Sequence, residues 1–323
     1  MVFLFVLSFI LSLSFHTLFL KLFKKLDLLK NIGKFPFIGG LSFYLAFVFT
    51  YILFSFVKRI YLPPQLLWIM LFSFIILAIG IFDDIKDFSL KTRIFIQILF
   101  IVVFLLYAKR MQVYFLPPWL NYLFSFLWIM GITNAFNLID IGDGLCGGVS
   151  LIASLSFFAV LIAKGDFLLA GLFLSLSGAI SAFLIFNFPP AKVFMGNSGS
   201  HFLGFIFASL SMYGDYATLD NPIALTLPLL MLFFPIIDTL FLIVTRLRKG
   251  IVPLRKSDDH IYMRLLSSGW NGEKTLFSVY FVSALWGLCG IFAALGCNPL
   301  FLISVAAASF YTFRIILKAG LAR

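Results

Sequence analysis

The chain has 323 residues, of which 62% are hydrophobic and only 11% charged, and its mean hydropathy is +1.10. No water-soluble globule carries that balance, and the absence of period-two alternation excludes a membrane barrel, leaving a polytopic helical membrane protein. A net charge of +11 does not make a nucleic-acid binder, because the basic residues are dispersed between apolar runs and collect where cytoplasmic loops collect them.

Taken in chain order, the apolar runs long enough to cross about 30 Å of hydrocarbon are Val2–Leu20, Phe37–Val57, Leu66–Phe82, Ile94–Tyr107, Trp119–Thr133, Leu145–Ala163, Phe167–Phe188, His201–Tyr213, Ile223–Val244, Leu276–Leu295 and Pro299–Leu317. The expected fold is an all-α membrane bundle of 10 to 11 spans forming a single domain over 1–323. The fourth, fifth and eighth runs are short, which calls for tilt or for a flanking polar turn buried in protein. The first run lacks a basic leader and a small-residue cleavage site, so it reads as a retained span rather than a signal peptide. The longest polar stretch, Thr245 to Thr275, is too short for a soluble domain.

Charge sets the orientation. With the N-terminus outside, the inner loops hold Lys21, Lys24, Lys25, Lys30, Lys34, Lys86, Lys91, Arg93, Lys192, Arg246, Arg248, Lys249, Arg255, Lys256, Arg264 and Lys274. The outer loops hold Lys58, Arg59, Lys109, Arg110 and Lys164, so sixteen basic residues face five and the excess lies inside. Every polar motif then falls on the cytoplasmic side. Cys146, Cys289 and Cys297 form no CxxC and read as packing residues.

Only 13 residues are Asp or Glu, and most of them lie in these inner gaps, which points to an interfacial active site for a charged, metal-bound substrate. The first motif, DDIKD, holds Asp83, Asp84 and Asp87 where the third span ends. Adjacent carboxylates repel, so keeping both ionised takes a cation or one raised pKa. The motif reads as a metal or phosphate site with a general base, against the alternative of a solvated helix end; Lys91 and Arg93 serve either reading. In NAFNLIDIGDGLCGG, Asn134, Asn137 and Asp140 recur every third residue and share one helical face, followed by Asp143 in a glycine-rich turn. Such groups are costly at a membrane surface unless paired or liganded. The DxxDG within this stretch resembles CDP-alcohol phosphotransferases, but their following Ala-Arg and further aspartates are missing. PPAKVFMGNSGS holds Lys192, Phe194 and Asn197 in a Gly/Ser turn feeding the eighth span, a candidate phosphate cradle. In DDHIYMR, Arg264 suits bidentate phosphate binding, while His260 by itself reads more often as an ordinary surface histidine. Asp238, inside the ninth span, is either functional or the partner of a basic residue.

In order, these motifs resemble the set DDxxD, NxxNxxDGxDG, FMGDxGS and HxHHR of the polyprenyl-phosphate N-acetylhexosamine-1-phosphate transferases. That family, within glycosyltransferase family 4, holds the WecA/TagO-type enzymes and the phospho-MurNAc-pentapeptide translocases. The resemblance runs from about Pro36 to Trp270, with FPFIGG echoing the family's PRxGG segment. It implies a multi-pass enzyme of the bacterial plasma membrane with a cytoplasmic active site. The enzyme would use Mg²⁺, or Mn²⁺ in its place, to move N-acetylhexosamine-1-phosphate from a UDP-sugar to undecaprenyl phosphate, releasing UMP and initiating a cell-envelope glycan. By position, Asp83 and Asp84 match the pair that engages or deprotonates the lipid phosphate, and Asp143 joins them as catalytic. Asn137 and Asn197 match metal ligands. Asp140 and Phe194 match nucleotide-side positions, and Lys34, Lys192, His260 and Arg264 match substrate-binding ones. No nucleic acid is implied, and a homodimer is compatible.

Three departures bear on the reading. DIGDG places a glycine at 142 rather than 141. Asn197 stands where the family has a metal-binding Asp, so metal affinity falls unless Asp140 and Asp143 compensate. HIYMR keeps His260 and Arg264 but has Tyr262 and Met263 where histidines are usual, which argues against the MurNAc-pentapeptide branch and leaves GlcNAc as the default sugar. A degenerate, non-catalytic family member is one alternative. A secondary transporter is the other, although transporters bind near the midplane and carry repeats, whereas these polar groups gather at one face.

Overall fold

A computed structural model describes residues 1–25, 38–59, 61–108, 111, 116–214, 226–250, 258–296 and 298–321. Every regular element among them is a helix: α1 (Val2–Lys25), α2 (Gly39–Lys58), α3 (Pro64–Lys86), α4 (Leu90–Tyr107), α5 (Pro118–Ile139), α6 (Leu145–Ala163), α7 (Phe167–Asn187), α8 (Gly196–Tyr213), α9 (Leu227–Met231), α10 (Phe233–Arg248), α11 (Ile261–Ser267), α12 (Gly272–Ala294) and α13 (Asn298–Leu321). Nine of these are long and apolar enough to cross a membrane, namely α1 to α7, α12 and α13. In water-free hydrocarbon a helix satisfies its own backbone, which is why so apolar a chain takes this form.

Two of the short expected spans are longer as helices. α4 starts at Leu90 rather than Ile94 because Ser89 accepts the Thr92 N–H and caps it. α5 runs on through Asn134 and Asn137 to Ile139. The expected ninth span is divided at Leu232 into α9 and α10. Pro235 has no N–H to give to the Met231 carbonyl, so an unbroken ladder cannot pass through this turn.

The chain packs as two compact units, Met1–Gly147 with Gly171–Asp215, and Gly148–Ala170 with Tyr216–Arg323. In the first, α8 is buried on nearly all sides, from Gly196 through Met212, and packs against α3, α5 and α2. Glycine brings its neighbours close. A Cβ on Gly80 of α3 would sit 2.4 Å from the Ser198 Cα, and one on Gly204 of α8 would sit 2.6 Å from the Thr133 Cα. Phe72, Phe100, Phe104 and Phe205 lock α3, α4 and α8 together edge to face. In the second unit α12 packs on α9, α10, α11 and α13, with Phe233 stacked on Trp286 at 3.9 Å. Cys146 and Cys289 are buried and not disulfide-bonded among the described residues; Cys297 lies outside the described residues.

Candidate active site

The close α3–α8 contact at Gly80 sets the site's geometry, because one turn beyond Gly80 lie Asp83 and Asp84. Asp84 reaches the start of α8: Oδ1 accepts the Asn197 N–H at 2.8 Å and Oδ2 the Ser198 N–H at 3.1 Å. Helix N-terminal amides lack intrahelical partners, and here a carboxylate from another helix satisfies two of them. The expected phosphate cradle at GNSGS is corrected by this: the donors that would hold a phosphate are held by Asp84.

Asp83 turns elsewhere. It is buried, accepts the Phe88 N–H at 2.9 Å and pairs with the Arg93 guanidinium at 2.9 Å. Arg93 also holds Asp87, 2.8 Å away, at the left-handed cap of α3. The repulsion expected between adjacent carboxylates is therefore met by two separate positive partners, Arg93 for Asp83 and the α8 amides for Asp84.

α5 supplies the facing amides. Asn137 Nδ2 donates to Asn197 Oδ1 at 2.9 Å and to Ser200 Oγ at 3.0 Å. The two residues expected to bind metal are thus bonded to each other. Asn134 Nδ2 donates to Gln97 Oε1 at 3.0 Å, Gln97 Nε2 lies 2.9 Å from His201 Nε2, and His201 Nδ1 lies 2.7 Å from the Asn197 carbonyl. This buried chain, running through α4, α5 and α8, fixes the backbone that carries Asn197. Gln97 and His201 escaped the sequence reading, although a polar side chain inside an apolar span is itself the signal that marks them.

Asp140 caps the C-terminus of α5. Burial raises its carboxyl to about 7, and the negative charges of Asp84 and Asp143 add to the rise. Asp143 Oδ2 accepts the Ala191 N–H at 2.9 Å. Asn187, also missed, ties the same two loops: its Oδ1 accepts the Gly144 N–H at 3.0 Å and its Nδ2 donates to the Val193 carbonyl at 2.9 Å. Lys192 follows Ala191 and is exposed, and the Phe194 carbonyl accepts the Gly39 N–H at 3.1 Å. Asp83, Asp84, Asn137, Asp140, Asp143, Lys192, Phe194 and Asn197 therefore all belong to the first compact unit. Lys34 lies outside the described residues.

Among the described residues no three His, Cys, Asp or Glu side chains converge as a metal cage. The donors present are hard oxygens from carboxylates and amides, and Asp84 and Asp143 each repel Asp140. That set fits Mg²⁺, which binds through one or two carboxylates and completes its shell with water and substrate phosphate.

His260 and Arg264 belong to the second unit. His260 is buried, with Nδ1 2.7 Å from Asp238 Oδ2, which gives Asp238 its partner. Arg264, on α11, donates to the Ala319 carbonyl at 3.1 Å, lies over the Phe241 ring and stands 3.8 Å from Asp259.

Residues 66–215 match the model of Glycosyl transferase family 4. The chain is 30% identical, over 79% of its length and 72% of the relative's, to the probable undecaprenyl-phosphate N-acetylglucosaminyl 1-phosphate transferase of Bacillus subtilis. It is 26% identical to the undecaprenyl-phosphate alpha-N-acetylglucosaminyl 1-phosphate transferase of Escherichia coli K12, over 86% and 81% of the two chains. To the enzyme of the same name from Thermotoga maritima it is 31% identical, over 68% of each chain. With the acidic pair at the end of α3 set against the polar start of α8 inside the matched segment, the chain belongs to glycosyl transferase family 4 and, within it, to the WecA/TagO-type transferases.

Proposed function

We propose that this protein transfers GlcNAc-1-phosphate from UDP-GlcNAc to undecaprenyl phosphate, giving undecaprenyl-diphosphate-GlcNAc and UMP, and so initiates a cell-envelope glycan. The observation that carries the reading is the meeting of Asp84, Asn197 and Asn137 beside Asp140 and Asp143, together with relatives named as undecaprenyl-phosphate N-acetylglucosaminyl 1-phosphate transferases. The charge asymmetry of the loops supports eleven crossings with the N-terminus outside and the site facing the cytoplasm.

In this reading a phosphate oxygen of the lipid attacks the sugar-bearing phosphorus of the donor. One phosphorus–oxygen bond forms, the bond bridging the two donor phosphates breaks, and UMP leaves with that bridging oxygen. Asp83 or Asp84 keeps the lipid phosphate ionised. Asn137, Asn197, Asp140 and Asp143 would hold Mg²⁺, which would supply charge neutralisation for the donor phosphates. Phe194 offers a face for uracil. Lys34, Lys192, His260 and Arg264 offer cationic or N–H donors to the anionic substrates.

The test is purified protein in detergent with undecaprenyl phosphate, Mg²⁺ and radiolabelled UDP-GlcNAc. Mg²⁺-dependent label in the lipid phase with UMP released supports the reading. Silence with UDP-GlcNAc, UDP-GalNAc and other UDP-sugars overturns it in favour of a non-catalytic binder, the reading that Asn197 in place of an Asp supports.

A further inference from the structure

Asp238 lies in the second turn of α10, 1% exposed, and both of its oxygens are committed. Oδ2 lies 2.7 Å from His260 Nδ1, and Oδ1 accepts the Ile261 N–H at 2.8 Å. A carboxylate has no hydrogen to give, so Nδ1 must carry the proton of this bond. The neutral ring is thereby fixed with its lone pair on Nε2. Nε2 lies on the ring edge opposite that bond.

The second oxygen has a different task. His260 is the N-cap residue of α11 but makes no side-chain cap bond, and the Asp238 carboxylate takes the first amide of that helix in its place. α11 carries Arg264, whose guanidinium is steadied by the Ala319 carbonyl. One buried carboxylate thus holds the tautomer of His260 and the start of the helix that presents Arg264.

We propose that Asp238 is a positioning residue for anionic substrate: it holds the His260 ring through Nδ1–H and anchors α11, so that His260 and Arg264 act on the same phosphate-bearing ligand. The ligand class rests on the transferase reading, as a nucleoside diphosphate sugar. Asp–His pairing of this kind orients the ring in other phosphate and acyl chemistries.

The chain has three histidines, so ¹⁵N-histidine labelling resolves each ring, and a His260→Gln sample assigns the His260 signals. Wild type should show His260 as Nδ1–H at mildly alkaline pH, and Asp238→Asn should shift it toward Nε2–H, since an amide can donate to Nδ1. The same Asp238→Asn protein should lose about 100-fold in kcat with UDP-GlcNAc, Asp238→Glu should recover part of that loss, and Asp238→Asn should cost little more in a His260→Gln background. An unchanged tautomer in Asp238→Asn, or an equal loss with His260 already removed, overturns the proposal. If Asp238→Asn does not fold, Asp238→Glu alone decides, with a retained Nδ1–H signal expected and an Nε2–H signal overturning it. A wild type that transfers no sugar phosphate overturns the transferase reading instead, while the tautomer measurement still decides the role of Asp238.

Discussion

The Asp84 carboxylate and the Asn197 backbone meet at 2.8 Å, so that the last turn of α3 is the cap of α8. A side chain expected to face substrate is thereby also a structural element, and its replacement has two separable effects. Asp84→Ala should destabilise the protein by about 1 kcal/mol, as lost N-caps do, and should abolish transfer. Asp84→Asn keeps one acceptor oxygen and should hold the wild-type melting temperature more closely, yet still lose turnover by orders of magnitude. Comparable turnover in Asp84→Asn and wild type removes Asp84 from the chemistry.

Arg93 and Asp83 make the opposite arrangement, a partly buried ion pair whose halves depend on each other. Arg93→Ala leaves a buried carboxylate without its cation and should cost about 3 kcal/mol. Asp83→Asn with Arg93→Gln should cost less than the two single changes added, because the uncompensated charge is gone. A melting series of the four proteins measures the coupling, and strict additivity argues that the pair has no energetic role.

Asp140 sets a pH dependence. Its folded-state value of about 7 lies above the ordinary carboxylate value of 3.8, so the fold favours the neutral acid. The penalty for ionising it is absent below the unfolded value, grows between the two values and is complete above about 7. Metal-free Asp140→Asn should therefore melt at the same temperature as wild type near about pH 4 and a few degrees higher near about pH 8. Parallel melting temperatures at both pH values would falsify the raised acidity. Mg²⁺ competes with the proton, so wild-type Mg²⁺ affinity should rise across the same window.

Asn197→Asp returns a negative oxygen to a position already facing the Asn137 amide at 2.9 Å. The amide can donate to the new carboxylate without rearrangement, so the variant should fold. Transfer should then reach half-maximum at about tenfold lower Mg²⁺, since a carboxylate binds this hard cation more strongly than an amide. An unchanged Mg²⁺ titration takes Asn197 out of the metal's shell.

Gly80→Ala tests the approach that sets the site. The new methyl would sit 2.4 Å from the Ser198 Cα and 2.7 Å from its nitrogen, both backbone atoms that no rotamer change can move aside. The helices must part, at about 1–3 kcal/mol, and the Asp84 bonds to α8 lengthen with them. Activity should fall more than stability, whereas Gly131→Ala, with open space around the new methyl, should leave both unchanged.

Membrane class, the helical architecture and the motif positions were legible in the chain because apolar run length and the costly placement of acidic residues in so apolar a sequence are local properties. The spacing of Asn134, Asn137 and Asp140 would place the three on one face of a helix; that α5 runs on to carry both amides and ends at Asp140 came from the structure. The break at Leu232 was also written locally, in Pro228 and Pro235, but the apolar run around them outweighed it in a reading by hydropathy. Which partner each polar group takes was not legible. Asp83 and Asp84 are neighbours in sequence, yet one binds Arg93 and the other the start of α8. Gln97, Asn187 and His201 carry no motif and gain their roles only from what lies across from them. The sequence by itself determined that this chain spans a membrane as helices and keeps its acidic groups in a few polar turns, since hydrophobicity and backbone satisfaction follow from composition. Only the tertiary structure decided which amides, guanidinium and imidazole those carboxylates hold, because a hydrogen bond depends on distances of a few tenths of an ångström between residues up to 114 apart in the chain.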